Sequence, residues 1–466
     1  ICRLLKASNL ILRINNMKID YKTARSTIGK HMLADGMSPV IDLENSHGSW
    51  LVDGRDGKEY LDLFSMYASM SVGYNHPYIL ENANRLEKAS LNKPANSDIY
   101  STQMAEFVAT MGKVVQPSYL PYAFYIEGGA LAVENALKAA FDWKSRKNLQ
   151  NNKPKGGDLV VHLKDCFHGR TGYTMSLTDS PDKRKVQYFP KFNWPRITNP
   201  YITFPENEKN TAVVEDLEKK SILELKDILN KSKDDVACLI LEPIQGEGGD
   251  NHFRHEYFKE LKTLSQENDF LLIYDEVQTG IGITGTMWAH QYFKPNSDFY
   301  KDADHCVKME PDIISFGKKT QVCGIFAGDR LNEVDNHVFH ESSRINSTFG
   351  GNLVDMVRFT IYAEIIQKEN LVNKAKENGE YLLSKLIEME RKFENQVSNS
   401  RGKGLFCAFD LDTPSSRDQL IVNMEKEGAL ILGCGHKSIR FRPHLNISKE
   451  EIDIACDMLT NSLSRL

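Results

Sequence analysis

The sequence predicts an α/β protein, with a large domain on a mostly parallel central sheet and a smaller α+β domain. Three observations lead there. Between Tyr122 and Phe316, five short apolar runs alternate with helical stretches. Runs without polar alternation are strands buried on both faces, as in parallel sheets covered by helices. After Gly351, long helical periodicity is followed by three more strand-like runs and a helix from Ser448. Near the start, Val40 to Phe64 alternates short apolar runs with His-Gly-Ser and Asp-Gly-Arg-Asp-Gly turns, the mark of a small meander or hairpin.

Residues 1–16 carry Arg3, Lys6 and Arg13 and no acid. That pattern suits the remnant of a transit peptide or, as preferred here, sequence upstream of a start at Met17. Residues 17–95 are expected to join the small domain, because neither the meander nor the C-terminal part encloses much core alone. Residues 96–345 form the large domain, with strands expected at Tyr122–Ile126, Leu159–Leu163, Val236–Leu241, Phe270–Tyr274 and Ile313–Phe316. The stretch His290 to Glu310, rich in Asp, Lys, Pro and Asn, reads as a surface excursion between two core strands. Residues 346–466 supply the small domain, with strands expected at Leu405–Leu411, Ala429–Leu432 and Ile439–Phe441.

Composition narrows the class. A chain of 466 residues, 41% of them hydrophobic, is long enough for a large core in two domains. A formal net charge of -5 with no long basic block argues against nucleic acid or an anionic membrane surface as partner. No apolar stretch approaches the roughly 20 residues that span a bilayer. The eight cysteines are scattered, with no Cys-x-x-Cys pair, which fits a reducing cytoplasm and no metal site. His252 and His255, with Glu256 beside them, have helical spacing but no evident third ligand, and they read as solvated loop histidines.

The chemistry concentrates at strand ends. The run Leu271-Leu272-Ile273-Tyr274-Asp275-Glu276-Val277-Gln278 delivers Asp275 from a buried strand, and Ile313-Ile314-Ser315-Phe316-Gly317-Lys318-Lys319 delivers Lys318 from another. An acid that can hold a ring-nitrogen proton and a lysine that can bind an aldehyde suit pyridoxal 5'-phosphate. Asp-Glu after a strand also occurs in nucleotide hydrolases, but neither Gly-x-x-x-x-Gly-Lys-Ser/Thr nor a Gly-x-Gly-x-x-Gly after a strand is present. Gly128-Gly129-Ala130 opens a helix after a strand, a junction whose free amides attract phosphate. In Cys166-Phe167-His168-Gly169-Arg170, Phe167 is suited to stack on a planar ring and Arg170 to clamp a carboxylate. Glu242 to Gly249 is an acidic, glycine-rich loop suited to gating a substrate, and Arg344 to Gly351 offers hydroxyl and amide donors. Alternation puts Arg440 and Arg442 on one face of a late strand, where either would reach an anionic substrate.

Together these residues resemble the class III aminotransferases, pyridoxal-phosphate enzymes of fold type I, over nearly the whole chain from about Lys30 to Leu466. Within the class, the runs Gly128 to Lys138, Ala139 to Arg146, Glu242 to Asp250, Phe316 to Gly324 and Asn346 to Leu353 are similar to those of members acting on the ε-amino group of L-lysine. The resemblance implies that Lys318 is the Schiff-base lysine; Lys319 does not fit the family spacing. It implies that Asp275 partners the ring nitrogen and Gln278 the ring hydroxyl. Phe167 matches the stacking ring, and Gly129 and Ala130 lie in the phosphate cup. Thr348 matches a threonine that reaches the phosphate of a neighbouring subunit's cofactor, which implies a homodimer. For substrates, the resemblance implies that Arg170 holds the donor's carboxylate, Arg440 binds the oxo acid, Glu247 masks Arg440, and Asn346 lines the pocket.

The implied reaction takes the ε-amino group of L-lysine to 2-oxoglutarate. A 4-aminobutyrate or ornithine aminotransferase, an aminomutase, or a non-catalytic protein on the same fold are the alternatives. Two departures stand out: Pro443-His444-Leu445 where the family usually has Pro-Pro-Leu, and the length of the 290–310 excursion.

Overall fold

The structure, a computed structural model, describes residues 19–293 and 309–466. Residues 1–16 and all of the 290–310 excursion but its ends lie outside the described residues. The N-terminal alternation is a hairpin, with β1 (Trp50–Val52) antiparallel to β2 (Glu59–Asp62) around the turn where Asp53 N donates to Lys58 O.

Seven strands make the central sheet: β3 (Tyr122–Ile126), β4 (Leu159–Leu163), β5 (Arg196–Ile197), β6 (Val236–Leu241), β7 (Leu271–Asp275), β8 (Ile313–Phe316) and β9 (Cys323–Ala327). Their spatial order is β3-β9-β8-β7-β6-β4-β5. All run parallel except β9, which is antiparallel to both of its neighbours. Four of the five expected strands have the predicted bounds; β7 is shifted by one residue, so that Asp275 itself ends it. Two strands of this sheet escape the sequence reading, as does Val397–Lys403 in the C-terminal part. Arg196–Ile197 is too short to carry a period, and Cys323–Ala327 follows the Lys318 loop directly, with Gly324 in place of a large apolar residue.

Doubly buried strands explain the unbroken apolar runs. Leu272 and Tyr274 of β7 pack into one core with Tyr257, Phe258 and Leu261 of helix 255–267. Leu271 and Ile273 pack into another with Val133, Leu137 and Trp143 of helix 129–150. Period-2 geometry sends alternate residues to opposite faces, and both faces are covered.

The C-terminal part holds β10 (Val397–Lys403), β11 (Phe406–Leu411), β12 (Ala429–Leu430), β13 (Leu432–Cys434) and β14 (Ser438–Phe441). Four of them form an antiparallel sheet ordered β10-β11-β14-β13. The expected single strand Ala429–Leu432 is two. Its first half, β12, leaves that sheet and pairs parallel with β2, Ala429 against Leu61 and Leu430 against Asp62. The N-terminal hairpin is thereby tied to the C-terminal part. Helix 449–463 closes the chain behind a capping box formed by Ser448 and Glu451. No described helix is long and apolar enough to cross a membrane.

Candidate active site

The carboxyl ends of β3, β4, β6, β7 and β8 meet along one edge of the central sheet, the edge at which open α/β sheets bind ligands. At the end of β7, Asp275 is buried. Its Oδ1 accepts from Ser315 Oγ at 3.0 Å and from Val277 N at 3.1 Å, and its Oδ2 lies 2.8 Å from His168 Nδ1. Burial alone would lower the pKa of this imidazole, but the Cys166 sulfur and the Asp275 carboxylate hold it well above the ordinary histidine value. The contact with the imidazole fixes the Asp275 carboxyl in orientation. Glu276 serves a different end of the loop, accepting from Ala289 N and His290 N and pairing with His290 Nδ1 at 2.8 Å.

Gln278 is held by Arg442, whose Nε donates to Gln278 Oε1 at 3.1 Å. Arginine has no acceptor, so the amide oxygen faces Arg442 and the NH2 end is left for a ligand. Arg442 pairs in turn with Asp250 through both terminal nitrogens, one at 2.8 Å, and both residues are buried. Arg442 is therefore not available to an anionic substrate, contrary to the sequence expectation; its charge is already matched by an acid far away in sequence. Gly246 packs against Gln278 so closely that a Cβ there would lie 2.5 Å from the amide.

Phe167, half-buried, donates its N–H to Glu242 Oε1 at 2.9 Å, and Glu242 Oε2 accepts from Gly246 N at 2.9 Å. One carboxyl thus ties the Phe167 loop to the Gly246 loop. Burial pushes Glu242 up to about 7, with the charge of Asp275 adding to the shift and His168 opposing it. Gly128, at φ 96°, turns the chain into helix 129–150, whose N-terminus has no side-chain cap. Its first amides, those of Gly129 and Ala130 among them, have no intrahelical acceptors.

Lys318 sits just beyond β8 with φ 54°. Enclosure by its neighbours first, then the Arg440 and Arg442 guanidiniums, lower its amine to about 8 against the pull of Glu247. Lys319, in contrast, is buried, and its Nζ donates to Gln278 O at 2.9 Å and Ala68 O at 3.2 Å. Glu247 bridges two cations, with Oε2 3.0 Å from Arg440 Nη2 and Oε1 2.5 Å from Lys185 Nζ. Burial would raise its pKa, but Arg440 and Lys185 hold it below the ordinary glutamate value.

Three expected residues stand at the margin. Arg170 is exposed. Asn346 and Thr348 are exposed on the loop before helix 353–368, where Asn346 Oδ1 accepts from Ser347 N and Thr348 O accepts from Ser97 Oγ. Among the described residues, no hydrogen bond ties either to Lys318 or Asp275. His252 is fully enclosed rather than solvated, its ring edge-on to Phe204, and burial pushes its pKa well below the ordinary value. The sequence reading assigned no role to His168, Ser315 or Lys185. His168 had one signal, its place beside Phe167 at a strand end.

An uncapped helix start, an acid fixed by a hydroxyl, an amide and an imidazole, and an amine with a lowered pKa form the donor set that pyridoxal 5'-phosphate requires. Residues 32–463 match the family described as aminotransferase class-III. The chain belongs to the class III aminotransferases.

Among its relatives, the L-lysine-epsilon aminotransferase of Mycobacterium tuberculosis is 46% identical over 94% of each chain. That of Streptomyces clavuligerus is 44% identical over 93% of each. A solved structure of lysine aminotransferase from M. tuberculosis superposes with a TM-score of 0.90 at 44% identity, over 96% of this chain and 100% of that one. The fold is therefore that of fold type I, and the enzyme is a transaminase dependent on pyridoxal 5'-phosphate.

Proposed function

We propose that this aminotransferase moves the ε-amino group of L-lysine to 2-oxoglutarate, giving 2-aminoadipate 6-semialdehyde and L-glutamate. The observation that carries the proposal is the ion pair between Glu247 and Arg440 at 3.0 Å. Lysine presents its amine far from its carboxylate, whereas 2-oxoglutarate presents a keto group beside one carboxylate and far from another. A cation that is covered for the first substrate and uncovered for the second lets one pocket take both. The likeness to two L-lysine-epsilon aminotransferases over nearly the whole chain supports lysine as the donor.

When bound, pyridoxal 5'-phosphate supplies an aldehyde for the incoming amine and a ring that accepts electrons from the substrate carbon. Lys318 holds that aldehyde between turnovers. Its amine takes a proton from the ε-carbon of lysine and gives one to the keto carbon of 2-oxoglutarate. Asp275 would keep the ring nitrogen protonated, Gln278 would serve the ring hydroxyl, Phe167 would stack on the ring, and the amides of Gly129 and Ala130 would receive the phosphate. Arg170 holds the lysine carboxylate and Asn346 lines the pocket. Thr348 of a second copy reaches the phosphate, which makes the working unit a homodimer. In this arrangement residues 17–95 and 346–466 make the small domain and residues 96–345 the large one. The described free cysteines are all buried, which suits a reducing cytoplasm.

The test is glutamate formation from 2-oxoglutarate by the cofactor-loaded protein with lysine, ornithine, 4-aminobutyrate or no donor. A strong preference for lysine, with a product that cyclises, is expected. Preference for another donor would move the substrate assignment, and no glutamate with any donor would point to a mutase.

A further inference from the structure

Glu247 is held at both ends. Each carboxylate oxygen takes one cation, Arg440 on one side and Lys185 on the other. The second contact is not a stray surface pair, as the chain around Lys185 makes plain. Of the three consecutive bases Lys183, Arg184 and Lys185, the first pairs with Asp179 at 3.2 Å and the second with Asp182 at 2.8 Å. Only the third reaches out of its own turn, across to Glu247. Its Nζ also lies 5.9 Å from the centre of the Phe167 ring, so it stands at the mouth of the site.

A carboxylate that leaves a buried arginine with no second partner must be left uncompensated in a partly enclosed place, which is strongly unfavourable. With Lys185 in reach, Glu247 can leave Arg440 and keep one ion pair. Arg440 has capacity to spare, because its Nε has no hydrogen-bond partner and can donate to an arriving carboxylate. We propose that Lys185 is the second holder of Glu247, a positioning residue that sets how readily the site opens to a dicarboxylate. This inference rests on the reading of Glu247 and Arg440 given under the proposed function.

The test is equilibrium binding of glutarate, a dicarboxylate without a keto group, to the cofactor-loaded protein by calorimetry. It is made on wild type, Lys185→Met, Lys185→Arg, Glu247→Gln and the Lys185→Met/Glu247→Gln double variant. If Lys185 acts through Glu247, Lys185→Met raises the Kd about tenfold, and Lys185→Arg restores most of the loss. Glu247→Gln tightens binding, and adding Lys185→Met to it changes nothing further. Single-turnover rates should agree, with the 2-oxoglutarate half-reaction weakened in KM and the lysine half-reaction unchanged. An equal effect of Lys185→Met with and without Glu247→Gln would overturn the proposal, because Lys185 would then touch the ligand directly. If Glu247→Gln alone left glutarate binding unaltered, the Glu247–Arg440 reading would fail and the proposal with it.

Discussion

Arg442 decides which end of Gln278 a ligand meets, because a side chain with only donors forces the amide oxygen toward itself. On the proposed placement, the Gln278 NH2 would donate to the ring hydroxyl oxygen and would favour its ionised form. Replacing Arg442 by Met alone would strand the buried Asp250 carboxylate, so the informative variant is Arg442→Met with Asp250→Asn. It should raise the pKa read from the cofactor's visible absorbance and lower kcat about tenfold or more. An unchanged absorbance titration would show that Gln278 is oriented by something else. Lys318 carries a second prediction. Exchange for Ala should reduce turnover by at least about a thousandfold. In the cofactor-free protein, its amine has a pKa near 8 against the ordinary 10.5, so the free base accumulates at lower pH. The rate of pyridoxal 5'-phosphate capture should accordingly rise through a midpoint near 8. The positions of Asp275, at the end of an apolar strand, and of Lys318, two residues beyond Phe316, were legible from the strand pattern. His168, Arg442 and Lys185 gained their roles from partners distant in sequence, Asp275, Asp250 and Glu247, and no local pattern records such a pairing.

At the scale of the element, the Lys318 loop is clamped to a turn that the backbone alone disfavours. Ser65, Met66, Tyr67 and Ala68 all have positive φ, a left-handed turn that costs roughly 1–2 kcal/mol per residue. Ser71 Oγ donates to Lys319 O, Gln321 Nε2 to Ser69 O, and Lys319 Nζ to Ala68 O and Gln278 O. Burial, with the charges of Lys318 and Arg442, pushes the Lys319 amine well below the ordinary lysine value. Both carbonyls are satisfied by this one buried amine. Lys319→Met leaves both carbonyls unpaired and should cost about 1–3 kcal/mol for each, seen as a fall in Tm. A Tm equal to wild type would mean that the clamp does not hold the turn. None of this was visible in the sequence, where Ser65 to Ala68 contains neither Gly nor Asn to announce positive φ. The strands fared differently. Val236–Leu241 and its neighbours are buried on both faces and read directly as apolar runs, whereas the antiparallel Cys323–Ala327 hid behind the lysine loop.

At the scale of the whole molecule, β12 pairs with β2 and ties the N-terminal hairpin to the C-terminal part. The proposed role of Thr348 can be tested with a second chain. It is exposed, and under the proposed function it reaches the cofactor phosphate of a neighbouring copy. Lys318→Ala should be inactive because it lacks the amine, and Thr348→Glu because it sets a carboxylate against the phosphate. In a mixed dimer, one site has Lys318 from one chain and Thr348 from the other, both intact. Random reassortment of the two inactive variants should therefore restore about a quarter of wild-type sites, since half the dimers are mixed and each of these holds one complete site. Activity measured after the two proteins are unfolded together and refolded tests this directly. If no activity returns while each variant still assembles, Thr348 serves its own chain and the shared site is wrong.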